Sequence, residues 1–64
     1  MLRMREKIKI LKKKYSDVKI NDIEIVIRCK NMKSYRESFN TELYKYNPRY
    51  CLLLESLHWI EFTD

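Results

Sequence analysis

The chain has 64 residues and a formal net charge of +5, with no glycine, no alanine, no glutamine and one proline. That length makes one small domain, residues 1–64, and folding hides only about 60% of the surface that such an unfolded chain exposes. The missing glycine excludes Gly-rich phosphate loops and dinucleotide fingerprints, since both need backbone that a Cβ would block.

Divided along the chain, the charge is uneven. Residues 1–14 carry seven cations against Glu6 alone, whereas residues 15–64 carry seven cations and eight anions. No cation follows Arg49. The composition is rich in Lys, Ile, Asn and Tyr, whose codons are AT-rich. This fits a small accessory protein of viral or phage type. No apolar stretch follows the basic start as a signal peptide requires, and the longest apolar run, Tyr50 to Leu54, is far short of a membrane span. The expected compartment is the cytoplasm, that of the host if the source is a virus, with no membrane partner.

The first element is a basic helix over residues 2–14. Met4, Ile8, Leu11 and Tyr15 recur at spacings of 4, 3 and 4, which aligns them in one narrow stripe. Lys12, Lys13 and Lys14 fall in its last turn, where cations complement the negative end of the helix dipole.

The second element reads as β structure over about 18–30. Ile23, Ile25, Ile27 and Cys29 alternate with Glu24, Val26, Arg28 and Lys30, a strand with one dry face. Val18-Lys19-Ile20 can pair with it across an Asn21-Asp22 turn, which sets Lys19 opposite Glu24. Asn21 and Glu24 also have the spacing of a capping box, so a helix over 22–30 is the competing reading.

The third element is a helix over 32–46. Ser34 and Glu37 have capping-box spacing, and Met32, Tyr35, Phe39, Leu43 and Tyr46 mark its buried face. Asn47-Pro48 ends it and can open a fourth element over 48–62. As a helix, that segment buries Tyr50, Leu53, Leu54, Leu57 and Ile60 and turns Leu52 and Trp59 to the opposite side, with Phe62 on a flank. As a strand it is apolar on both faces. The fold expected is α+β, with an all-α bundle as the alternative if residues 22–30 are helical.

Little in the chain points to catalysis. Cys29, Cys51 and His58 are too few and too widely spaced for a zinc site, and no metal or other cofactor is expected. Two cysteines make no disulfide framework. Each reads as a small buried thiol, and a single bridge between them is left open. Cys51 and His58 lie seven residues apart without an orienting third group. Arg28, Tyr35, Arg36 and His58 are residue types that small ribonucleases use, but no spacing singles them out. The chain is read as non-catalytic.

Two features point to binding. Arg5, Lys9, Lys12 and Lys13 fall within about 100° of helical arc, and with Lys14 they form the candidate contact for nucleic acid or an acidic partner. Leu52, Trp59 and Phe62 are apolar surface in excess of what one buried face hides, and they form the candidate protein interface. The partner expected is a larger host protein or protein–nucleic-acid complex, whose surface the chain occupies so as to inhibit or adapt it. A homodimer through the same patch is the other arrangement. A DNA- or RNA-binding protein using the first helix is the alternative function.

Overall fold

The structure, a computed structural model, describes residues 2–63. Its elements are α1 (Met4–Lys14), α2 (Ile20–Met32), α3 (Tyr35–Phe39), α4 (Glu42–Lys45) and α5 (Pro48–Thr63). Among the described residues there is no strand, so the α+β expectation is corrected to all-α.

Residues 18–30 form no hairpin. The alternation of Ile23, Ile25 and Ile27 coexists with a helical spacing through Ile23, Val26 and Ile27, and burial follows the second pattern. Those three residues are buried, while Ile25, which the strand reading places beside Ile23 and Ile27, is 42% exposed. A two-residue hairpin turn also needs positive φ, and no described residue has it. Asn21 and Asp22 instead lie in the first turn of α2, with Lys19 as N-cap and Asp22 at the positive end of the dipole. The Asn21–Glu24 box therefore does not mark the start of the helix.

The expected helix over 32–46 is two short helices. Ser34 caps α3 as its sequence implies, its Oγ accepting the Glu37 N–H at 3.1 Å. Two residues then break the helical run. The Ser38 hydroxyl donates to the Ser34 carbonyl at 2.8 Å, and the Thr41 hydroxyl donates to the Ser38 carbonyl at 2.7 Å, offering the backbone a local alternative to a continuing helix. The break moves the buried position by one residue, so Tyr44 enters the core. Met32 and Tyr46, both expected on the buried face, are 84% and 78% exposed. Met32 belongs to the end of α2.

Helix α5 follows its sequence signals. The Asn47 Oδ1 accepts the Tyr50 N–H at 3.3 Å, and Pro48 occupies the first helical position, where its lack of an N–H costs nothing.

With no glycine, none of the described residues adopts the left-handed C-cap conformation that glycine favours. Helix α1 ends on a backbone bond, the Tyr15 N–H donating to the Leu11 carbonyl at 2.8 Å. Lys12 Nζ then reaches forward to the carbonyls of Ser16 and Val18 at 2.7 and 2.6 Å, covering oxygens of the turn that follows.

The side-chain pairings give the topology. Lys7 meets Glu61 and Tyr15 meets Ser56, so α1 runs antiparallel to α5. Tyr50 meets Asp22 and Lys30 meets Glu61, so α2 runs parallel to α5. Helices α3 and α4 make the return between those two parallel helices. The core between them is Leu11, Val18, Ile23, Val26, Ile27, Tyr44, Leu53, Leu54 and Leu57, each nearly or wholly shielded from solvent.

Candidate protein-docking face

Helix α5 has no breaker between Pro48 and Thr63, and apolar residues surround it. A single helix in a small domain cannot bury every side, so its phase decides which residues are left outside. Leu53, Leu54 and Leu57 face the core and are fully buried. Leu52, Trp59 and Phe62 are 48%, 66% and 77% exposed. Their spacings of seven and three residues, with exposed Glu55 between, align all four on one stripe about 15 Å long. The structure thus brings together the three apolar residues singled out in the sequence.

At the C-terminal end of this stripe His58, Trp59 and Phe62 line an open concavity of about 210 Å³. The ring of Tyr35, from α3, stacks against His58 with centroids 4.0 Å apart and planes 15° from parallel. The Phe62 ring lies 6.1 Å from that of His58, its plane tilted by 37°. The Tyr35 phenol is held above its ordinary range first by burial, then by the negative charge of Glu55. Glu55 itself is exposed on α5, one turn before His58 and Trp59. Sequence reading missed the parts of Tyr35 and His58 here, because their contact joins separate helices.

The candidate basic contact is divided. Arg5, Lys9 and Lys13 are exposed at successive intervals of four residues on α1, making one stripe. Lys12 is half-buried and engaged with the backbone at the helix end. Lys14 lies a further 100° round the helix from Lys13, its Nζ 5.7 Å from the centre of the Tyr15 ring.

One polar cluster went unread in the sequence. Glu61 lies between Lys7 Nζ, 2.5 Å from Oε2, and Lys30 Nζ, 2.6 Å from Oε1. The Lys7 contact is a hydrogen bond, whereas Lys30 approaches as an ion pair outside hydrogen-bond geometry. Burial raises the Glu61 carboxyl, but the Lys30 and Lys7 ammoniums outweigh it and hold the group below its ordinary range. The signal was present: Lys7 lies three residues after Met4 and four before Leu11, inside the apolar stripe of its helix.

The residues weighed for catalysis are placed otherwise. Cys29 and Cys51 are free, half-buried thiols. Cys51 donates to the Tyr44 carbonyl at 3.2 Å, and Cys29 to the Ser38 hydroxyl at 3.9 Å. Tyr44 is held well above its ordinary pKa range by burial and then by the adjacent Cys29 thiol. Arg28 pairs with Glu24 on its own helix at 3.8 Å. Among the described residues no group of His, Cys, Asp and Glu is placed to hold a metal ion, and no helix is long and apolar enough to cross a membrane. The chain matches no family model, no curated protein and no solved structure.

Proposed function

We propose that the protein is a non-catalytic binding module that occupies a surface on a larger macromolecule through the outward face of α5. The observation that carries this reading is the exposure of Leu52, Trp59 and Phe62 on one stripe of a helix whose opposite side is fully buried. An apolar stripe containing a large aromatic residue gains most when a partner removes it from water, and tryptophan is favoured among residues that dominate interface energetics. The basic stripe of Arg5, Lys9 and Lys13 raises the rate of encounter with an acidic partner and contributes less to final affinity. Inhibition or adaptation of a cellular protein by a small accessory chain is the mode of action proposed.

The test is capture from a nuclease-treated lysate of the source cells, using wild-type protein and Trp59→Ser. A partner held by wild type and lost by the variant supports the reading. A partner held equally by both, or lost on nuclease treatment, contradicts it.

The second reading, nucleic-acid binding, is favoured by the i, i+4, i+8 spacing of Arg5, Lys9 and Lys13, successive positions about 6 Å apart along the axis. Phosphate contacts release counterions, so binding by this stripe weakens steeply between about 50 and 200 mM salt. Affinity that does not change over that range contradicts it.

A further inference from the structure

We infer that the concavity at the C-terminal end of α5 takes the guanidinium of an arginine side chain on a protein partner. This inference rests on the reading of α5 as a docking face and specifies the chemistry of what docks there.

Three observations converge on a cation. The walls are rings: Trp59, Phe62 and His58 line the hollow, and Tyr35 backs His58 at stacking distance. A cation over such faces is attracted by their quadrupoles, most strongly by the indole. An acid lies on the same helix face one turn before the rings, since exposed Glu55 precedes His58 by three residues and Trp59 by four, and it forms no ion pair with any described residue. The site also lies in the last turns of α5, where the helix dipole is negative and no basic residue offsets it. Lys7 and Lys30 are engaged with Glu61, which lies about 200° round the helix from Trp59, 100° from Phe62 and 60° from His58, so their charges are already paired.

Guanidinium suits these walls better than ammonium. It is planar and weakly hydrated, stacks flat on rings, and presents paired N–H groups to a carboxylate, all without leaving the surface. The length of the stripe selects a polypeptide over a small molecule. Leu52 lies about 12 Å along the axis from the hollow, so one small cation cannot cover both. A partner segment with an arginine at one end and an apolar side chain about 12 Å away covers the whole face.

Trp59 is the sole tryptophan and reports directly on the hollow. Full-length protein is titrated with Nα-acetyl-arginine amide and, separately, with the neutral Nα-acetyl-citrulline amide, following Trp59 fluorescence and the ring NMR signals of His58 and Phe62. The arginine probe is expected to give saturable changes at all three residues, with an affinity about two- to fivefold above that of the citrulline probe. Glu55→Gln, an exposed substitution whose folding is checked by an unchanged unfolding midpoint, is expected to reduce that preference, the ring faces and the helix end still favouring the cation. Equal responses to the two probes, no saturable response, or a preference undiminished in Glu55→Gln overturns the arginine assignment. The docking face itself is judged by capture with Trp59→Ser, so the two readings fail separately.

Discussion

At the scale of single residues, Glu61 joins the three long helices. It receives Lys7 from α1 and Lys30 from α2 while belonging to α5. Removing one charge from such a cluster leaves the others buried and unbalanced, and partial solvent access moderates the cost. Glu61→Gln is expected to destabilise the fold by about 1–3 kcal/mol in urea unfolding. Glu55→Gln, on the exposed face of the same helix, is expected to change it by less than about 0.5 kcal/mol. The cluster also sets a pH dependence. The folded-state pKa of Glu61 is lowered from its ordinary value of 4.5, so its stabilisation is complete above that pH and is lost as pH falls through the lower folded value. Wild type is therefore expected to lose stability on acidification below about pH 4.5, with a smaller slope for Glu61→Gln. Equal slopes in the two proteins contradict the assignment.

At the scale of elements, α1 was legible, α5 was left between helix and strand although its opening favoured the helix, and the middle of the chain was misread. Helix α1 has an apolar stripe without a breaker, and α5 opens on Asn47-Pro48 with cap geometry that the structure reproduces. In α2 the residues Ile23 to Ile27 satisfy period 2 and period 3.6 together, so local pattern cannot choose between them. The choice is made by packing, because the helical phase sets Ile23, Val26 and Ile27 together against α1 and α5. This choice has a direct test. Ile25→Lys is expected to cost less than about 1 kcal/mol, as for a surface position, whereas Val26→Lys places an unpaired charge in the core and unfolds the domain. The strand reading requires the reverse order. The break between α3 and α4 was hidden for another reason. It depends on the Ser38 and Thr41 hydroxyls turning back to the backbone, which a hydrophobic pattern does not record. Ser34→Ala removes the cap of α3 and is expected to cost about 1 kcal/mol by the same unfolding measurement.

At the scale of the whole molecule, the absence of glycine has a structural consequence beyond the chemistries it excludes. Among the described residues no helix ends in a left-handed cap, α1 to α4 each close on a backbone N–H, and Lys12 covers carbonyls of the turn after α1. The charge is likewise grouped, with an exposed stripe of cations on α1, a clasp around Glu61, and Glu55 as the exposed charge beside Leu52 and Trp59 among the described residues of α5. The candidate interface was legible because α5 has more apolar residues than one buried side accepts. The ring-lined hollow was not, since it requires α3 to bring Tyr35 against His58. A domain of this size has a core commonly supplying no more than about 3–5 kcal/mol, so it cannot tolerate the loss of several core side chains. Leu57→Ala, at a fully buried position, is expected to remove about 2–5 kcal/mol and leave much of the protein unfolded.

That narrow margin makes urea unfolding of the variant combining Leu52→Ser, Trp59→Ser and Phe62→Ser the most direct test of α5 as a docking face. Helicity supplies the signal, since the substitution removes the tryptophan. If the three side chains serve a partner and not the monomer's core, the midpoint stays within about 1 kcal/mol of wild type while capture of the partner is lost. A variant that is unfolded or several kcal/mol less stable returns these residues to the monomer's own core and contradicts the account.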